Sequence, residues 1–70
     1  MANITAHIAG TVWKIECKVG DELEEGDIVA ILESMKMEMP VEAEEAGTVK
    51  DIPVNEGDSV NEGDVLVVTE

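Results

Sequence analysis

The chain has almost no aromatic residues: its 70 residues include no phenylalanine or tyrosine and one tryptophan, Trp13. The core must therefore be built from aliphatic side chains and methionine, in a chain close to the lower size limit for folding unaided. Such a core is thin and leaves little room for an enclosed pocket. An enzyme that surrounds its substrate is therefore not expected.

Positive charge is scarce as well, since the chain has four lysines, no arginine and 17 acidic residues, for a formal net charge of −13. A surface of this charge repels phosphate backbones and anionic membranes, so we expect neither nucleic acid nor a membrane as partner. The acidic residues keep the surface solvated, and they would steer the chain toward basic clefts of partner proteins.

Cysteine occurs once, as Cys17, which excludes an internal disulfide. Its two-residue spacing from Ile15 and Val19 predicts a half-buried thiol in a strand, and no cation-rich setting suggests a reactive one. The sequence shows neither a signal peptide nor an apolar stretch long enough to span a membrane. The expected location is therefore the cytoplasm, where the chain would act as a monomer.

The two halves of the chain repeat one pattern. When the chain is displaced by 37 positions, residues 3–33 lie over residues 40–70 without a gap, and 12 of the 31 pairs are identical. In the first copy the identical positions are Ala6, Ala9, Gly10, Thr11, Val12, Ile15, Gly20, Asp21, Glu25, Gly26, Asp27 and Glu33. Only residues 34–39 lie between the copies, with Lys36 near their centre. A lysine at this join is expected to be presented to another protein.

Apolar and polar residues alternate over much of the chain, with the two-residue period typical of β-strands. Residues 28–32 and 65–68 are continuously apolar and predict strands buried on both faces. Four of the six glycines precede an aspartate, a pair that predicts turns with side-chain-to-backbone hydrogen bonds.

Residues 33–45 have a composition that favours a helix by propensity alone. Their apolar residues nevertheless fall on every second position, and Pro40 would disrupt a helix interior. We therefore predict a hairpin over residues 34–39 with Lys36 at or beside its turn. By the repeat, Asn3 and Glu70 should meet at the opposite end, as Pro40 and Glu33 do at this one.

The predicted fold class is all-β: a flattened eight-stranded β-barrel or sandwich of two four-stranded halves with pseudo-twofold symmetry. Residues 1–70 are expected to form a single domain. Lysine becomes a nucleophile when burial or a cationic neighbour favours its neutral amine. Lys36 has neither, because Glu33 and Glu38 are its nearest charged neighbours, so we expect another enzyme to modify it.

Glu33-Ser34-Met35-Lys36-Met37 resembles the biotin-acceptor motif of biotin carboxyl carrier domains, which is usually Glu-Ala-Met-Lys-Met. The resemblance covers nearly the whole chain and includes its repeated Gly-Thr-Val and Gly-Asp segments and Pro40-Val41. It implies the barrel-sandwich hybrid fold and biotin joined to Lys36 by a biotin protein ligase, with Met35 and Met37 as flanking recognition residues. It also implies a non-catalytic, swinging-arm carrier between a biotin carboxylase and a carboxyltransferase.

The chain departs from that family pattern in two respects. Ser34 replaces the usual alanine, a change that should fit but could alter ligase preference. The gapless repeat also leaves no room for the thumb, a protruding insertion of some acetyl-CoA carboxylase carriers. The sequence therefore favours a carrier of another subtype. The chain, beginning at Met1, is expected to stand alone rather than to end a longer polypeptide.

Two other functions remain open. Lipoyl domains resemble this duplicated frame, so lipoate on Lys36, attached by a lipoyl ligase, is an alternative to biotin or an addition to it. Lipoyl acceptors more often show Asp-Lys-Ala at the turn, whereas Met35 and Met37 favour biotin. The second is that of an unmodified binding module. The complete Met-Lys-Met turn argues against it, because such a module needs no acceptor lysine.

Other candidate sites are weaker. The acidic segment 21–27 suggests calcium, but Leu23 occupies a position where an EF-hand loop needs an oxygen ligand. His7 has no second histidine or cysteine with which to bind a metal, and we expect a surface strand residue. Trp13 aligns with Lys50, so it either caps the core or contacts a partner.

Overall fold

The computed structural model describes residues 2–70, which form eight β-strands and no helix. The strands are β1 (Ala2–Thr5), β2 (Gly10–Ile15), β3 (Glu22–Leu23), β4 (Ile28–Ser34), β5 (Met37–Glu42), β6 (Gly47–Asp51), β7 (Ser59–Val60) and β8 (Val65–Thr69). The predicted all-β class and strand number are confirmed. Within these residues no helix is long and apolar enough to cross a bilayer.

The strands form two four-stranded antiparallel sheets. The hairpin sheet has the order β5-β4-β2-β7, and the terminal sheet, which holds the first and last strands, has the order β1-β8-β6-β3. Each sheet takes two strands from each sequence repeat. The repeats are therefore interleaved, and neither forms a layer of its own.

The strand register recurs with an offset of 37 residues. In the hairpin sheet Ile31 pairs with Pro40, and in the terminal sheet Val68 pairs with Asn3, which are the equivalent positions. A turn joins β4 to β5 at one end of the molecule. At the equivalent place in the terminal sheet β8 and β1 lie side by side without a connection, because they are the last and first strands.

Four β-turns with the same pattern of hydrogen bonds connect the strands. In the first, the Asp21 N–H donates to the Lys18 carbonyl, the Lys18 N–H donates to the Asp21 carboxylate, and Gly20 has a φ of +96°. A type II turn needs positive φ at this position, which glycine adopts without steric cost. The other three turns span residues 24–27, 55–58 and 61–64. The sequence prediction of Gly-Asp turns is confirmed.

Each turn is hydrogen-bonded to a strand or loop of the other repeat. The Gly20 N–H donates to the Val49 carbonyl, and the Val49 N–H donates to the Asp21 carbonyl, both at 2.8 Å. The same pairing occurs at the three equivalent places, which gives eight hydrogen bonds of 2.7 to 2.9 Å between the repeats. These bonds satisfy backbone groups that would otherwise be unpaired beside the core.

Small and aliphatic side chains fill the space between the sheets. The buried hydrophobic residues are Ala6, Val12, Cys17, Leu23, Val29, Ala30, Leu32, Val41, Ala43, Val49, Val60, Leu66 and Val67. Burial on both faces, predicted for residues 28–32, is wrong at Ile28, which is 45% exposed, and Ile31 is only half-buried. A register shift between Ile28 and Ala30 leaves Val29 and Ala30 both buried and turns Ile28 outward.

Two residues expected in strands lie in loops. His7 is an exposed loop residue between β1 and β2, and Cys17 follows the end of β2. Cys17 is buried rather than half-buried. Burial raises the pKa of its thiol, and the nearby Asp21 carboxylate raises this pKa further. Its environment therefore opposes the thiolate that a reactive cysteine requires.

Replacing Gly57 by alanine should lower the free energy of unfolding by about 1–2 kcal/mol. No heavy atom lies within 4 Å of the position a Cβ would take, so the loss comes from the φ of +96° and not from crowding. Urea denaturation of Gly57→Ala measures it, with Glu25→Ala, an exposed turn substitution, as the matched control. Equal stability of the two variants would contradict the type II turn.

Cys17 should react with a maleimide or disulfide reagent about tenfold or more slowly in the folded chain than in urea, because thiolate formation is opposed by burial. Its raised pKa means that half-maximal reaction requires a higher pH in the folded chain than in urea. Absorbance-monitored labelling over a pH series tests both points. Identical pH profiles in the folded and unfolded chain would show that the thiol is not shielded.

Candidate functional site

Met35 and Lys36 form the whole connection between β4 and β5. The last cross-strand pair is Ser34 with Met37, so the turn has two residues, and their φ values are +53° and +63°. Positive φ at both central positions is the type I′ geometry, whose twist matches that of the flanking strands. Asn-Gly is the usual sequence there, because other residues lose about 1–2 kcal/mol each in this conformation. The turn therefore stores backbone strain at the predicted site.

The side chains around the turn extend into solvent. Met35 is 91% exposed, Met37 is 60% exposed, and Lys36 is exposed between them. Within residues 2–70 the one ion pair joins Lys14 to Glu16, so no carboxylate within that range holds the Lys36 amine. The amine is free to enter the active site of another protein.

β2 fixes the hairpin from one side. Thr11 pairs with Glu33, and Gly10 lies so close to β4 that an added Cβ would stand 2.7 Å from the Glu33 carbonyl oxygen. Contacts of that length do not occur, so any side chain at Gly10 would displace the end of β4. This close approach holds the base of the turn in place. The sequence showed Gly10 only as a repeated glycine, and its role here depends on strand order.

The five motif residues stand together, two at the end of β4, two in the turn and one at the start of β5. Glu33 lies opposite Glu38, and both are exposed, so negative charge flanks the lysine. No other predicted site residue joins them. Two surface cavities, of about 330 and 440 Å³, lie away from the turn and are lined by residues 2–5, 44–45 and 69, and by residues 22–24, 27 and 46–48.

The acidic segment 21–27 does not form a metal site. The Asp21 and Asp27 carboxylates accept hydrogen bonds from the Lys18 and Glu24 N–H groups of their own turns. Across the part of the chain that the structure describes, no group of three or more His, Cys, Asp or Glu residues could hold a metal ion. The turn at Lys36 is the candidate site, because it presents an exposed primary amine between exposed neighbours.

Replacing Met35-Lys36 by Asn-Gly should raise the free energy of unfolding by about 1 kcal/mol, because this pair adopts positive φ most readily. A gain of this size raises the melting temperature of a domain this small by roughly 4–8 °C. Lys36→Ala, which keeps a strained residue, is the control and should show no gain. A double variant no more stable than that control would contradict the type I′ turn.

Comparison with known proteins gives a family match and close structural likenesses. The family described as "Biotin-requiring enzyme" matches residues 1–69. A biotin/lipoyl attachment protein of Bacillus subtilis is 53% identical over 41 residues, which are 59% of this chain and 56% of that protein. Biotinylated protein TB7.3 of Mycobacterium tuberculosis is 44% identical over 39 residues, 56% of this chain and 55% of that protein. The chain thus spans just over half the length of these two relatives.

Two solved carboxylases contain a similar fold. Urea carboxylase of Kluyveromyces lactis gives a TM-score of 0.92 at 39% identity, over 99% of this chain and 6% of that one. A single-chain, multi-domain long-chain acyl-CoA carboxylase gives 0.88 at 30% identity, over 94% of this chain and 7% of that one. Since the family match extends over residues 1–69 of 70, the chain belongs to the biotin/lipoyl attachment family of biotin-requiring enzymes.

Proposed function

We propose that Lys36 is the acceptor to which biotin is joined, and that residues 1–70 act as one attachment domain carrying a carboxyl group between a biotin carboxylase and a carboxyltransferase. The observation that carries this proposal is the position of Lys36 in a two-residue turn with exposed neighbours. The similarity to urea carboxylase and to a biotinylated protein supports the choice of biotin. The chain's role is that of a carrier, and the partner enzymes perform the catalysis.

The residues at the turn fit the covalent attachment of biotin. A biotin protein ligase would supply biotinyl-adenylate, whose carbonyl carbon the Lys36 amine attacks once a ligase group has taken its proton. The carbon–nitrogen bond of an amide forms, the bond to the phosphate oxygen breaks, and AMP leaves. Lys36 needs only access for this step, and its exposure provides it.

The domain then holds the attachment point while partners act on it. Bound biotin supplies a ring nitrogen that accepts a carboxyl group from one enzyme and releases it to another. Gly10 and the β2–β4 pairing keep the base of the turn fixed, so motion is confined to the lysine side chain and its extension. A tether of this kind raises the effective concentration of the carried group at both active sites.

The proposed partners are therefore a biotin protein ligase, a biotin carboxylase and a carboxyltransferase, met one at a time by a monomeric carrier. Small transient contacts suit such exchanges. The net charge of −13 would speed encounters with basic clefts on those enzymes. We place this work in the cytoplasm, where a free thiol such as that of Cys17 is usual.

Lipoate is a second candidate for the same lysine. The Bacillus subtilis relative is a biotin/lipoyl attachment protein by name, which supports acceptance of either group by this fold. Met35 and Met37 are the exposed residues on each side of Lys36, and they present flexible apolar surfaces to a ligase. They are the residues through which the choice between biotin and lipoate would be made.

Lys36→Ala should keep the fold, with a change in unfolding free energy within about 0.5 kcal/mol, and should abolish biotin attachment and carrier activity. Incubation with biotin protein ligase, ATP and biotin, followed by intact-mass measurement, tests attachment. Lys50→Ala, at a second exposed lysine, is the matched control and should be biotinylated normally. Biotin on the Lys36→Ala variant, or unfolding of that variant, would overturn the proposal.

Met35→Asp with Met37→Ala should move ligase preference from biotin toward lipoate, because the flanking residues then match the usual lipoyl acceptor. Parallel reactions with biotin ligase and lipoyl ligase measure the ratio of the two rates, and the wild-type chain supplies the reference. An unchanged ratio would mean that the ligases recognise the sheets and not the residues beside the lysine.

A further inference from the structure

The interleaved repeats give each sheet an outer face built on equivalent backbone positions. Because strand order and register agree at an offset of 37 residues, a residue on one face has a defined counterpart on the other. Where the two residues differ in character, the fold tolerates both. An apolar side chain exposed on one face alone is therefore not required by the backbone and calls for another explanation.

The largest such difference is at Trp13. The register of β2 with β4 shifts between Val12 and Lys14, so Trp13 is the extra residue of a β-bulge and is 48% exposed. Between Val49 and Asp51 the equivalent bulge of β6 carries an exposed Lys50. The same backbone feature thus holds the chain's one aromatic side chain on the hairpin sheet and a charged side chain on the terminal sheet.

The strands beside Trp13 add further apolar residues to the same face. Ile31 faces the bulge from β4, and its partner on β5 is Pro40, which is exposed. With Ile28, these residues make an apolar outer face, here called the Trp13 face. The equivalent positions of the terminal sheet hold Lys50, Val68, Asn3 and Val65, so the two faces differ in character at Trp13 and Pro40 and are both apolar at the other two positions.

Acidic residues border the Trp13 face. Glu33 and Glu38 lie between it and the turn, and Glu42 pairs with Ile28 at the far side. The one lysine there, Lys14, lies 3.7 Å from the Glu16 carboxylate, so its charge is offset. An apolar centre with a charged rim is the usual arrangement of a protein-binding surface, and a tryptophan near its centre often contributes most to affinity.

The Trp13 face adjoins the turn formed by Met35 and Lys36. Ile31 and Pro40 lie three residues from the last pair, Ser34 and Met37, a separation of roughly 10 Å along the strands. A protein that receives the Lys36 amine itself must come close to the turn, since no cofactor yet lengthens the side chain. Such a protein would also cover the Trp13 face.

We propose that the Trp13 face is the docking surface for the biotin protein ligase, which would meet it with an apolar pocket surrounded by Lys and Arg side chains. This inference rests on the proposed function, because it assumes that Lys36 is the biotin acceptor. It adds a recognition residue distant in sequence from the Glu-Ser-Met-Lys-Met segment. Acidic side chains on the carrier and basic ones on the ligase complete the match.

The test compares biotin transfer from a purified biotin protein ligase to four forms of the whole chain: wild type, Trp13→Ala, Lys50→Ala and a face-exchange variant. Trp13→Ala and Lys50→Ala truncate side chains at equivalent bulge positions on opposite sheets. The face-exchange variant combines Trp13→Lys, Ile31→Val and Pro40→Asn, which are the residues that the terminal sheet already carries at those places. Thermal unfolding verifies that each variant is folded.

Trp13→Ala and the face-exchange variant should lose about tenfold or more in kcat/KM for biotin transfer, mainly through a higher KM. Lys50→Ala should stay within about twofold of wild type. Raised salt should increase the KM of the wild-type chain, because screening weakens attraction between the acidic rim and a basic ligase surface.

Transfer to folded Trp13→Ala and to the face-exchange variant at the wild-type rate would overturn the docking proposal and leave Lys36 as acceptor. Equal losses in Trp13→Ala and Lys50→Ala would also overturn it, because the effect would not be specific to one face. Failure of the wild-type chain to accept biotin would instead remove the proposed function itself. The two proposals therefore fail separately.

Discussion

Each Gly–Asp turn exchanges backbone hydrogen bonds with the other sequence repeat, and the rest of the structure depends on this exchange. A turn of the first repeat pairs with Val49 or Ala43, and a turn of the second pairs with Val12 or Ala6. The partner residues are themselves buried, so the same positions carry both the hydrogen bonds and the core contacts. In a chain this small, such double use compensates for the lack of large aromatic side chains.

In this arrangement the residues that stabilise the fold are distinct from the residues that present the Lys36 side chain. Because β4 and β5 remain paired as far as Ser34 and Met37, their connection needs only two residues, and it lies at one end of the hairpin sheet. The positive φ values of Met35 and Lys36 are held by the paired strands below them. Stability thus resides in the turns and the core, whereas the proposed acceptor turn is strained and exposed.

Much of this structure could be predicted, because the chain is duplicated. A strand or turn assigned in one repeat can be checked at the equivalent residues of the other. Residues 33–45 illustrate the gain: composition favoured a helix, whereas Pro40 and the alternating methionines indicated the hairpin that the structure contains. The Gly-Asp pairs likewise predicted the turns, since glycine supplies the positive φ and aspartate the carboxylate.

The errors arose where the backbone departs from regular alternation. Bulges at Trp13 and near Val29 place neighbouring side chains on the same face, so Ile28 is exposed where continuous apolarity had predicted burial. Cys17 and His7 lie in loops because β2 and β1 end earlier than the alternation suggested. The support that Gly10 gives the hairpin depends on contact with Glu33, which strand order creates and local sequence does not show.

Intact-mass measurement of the protein from its native host, with peptide mapping across residues 33–45, is the sharpest test of the proposal that Lys36 carries biotin. A single biotin increment on Lys36, absent from the other lysines, is the expected result. A lipoyl increment would assign the carrier to a different group-transfer system. An unmodified Lys36 in cells with active biotin ligase would contradict the account and favour an unmodified binding module.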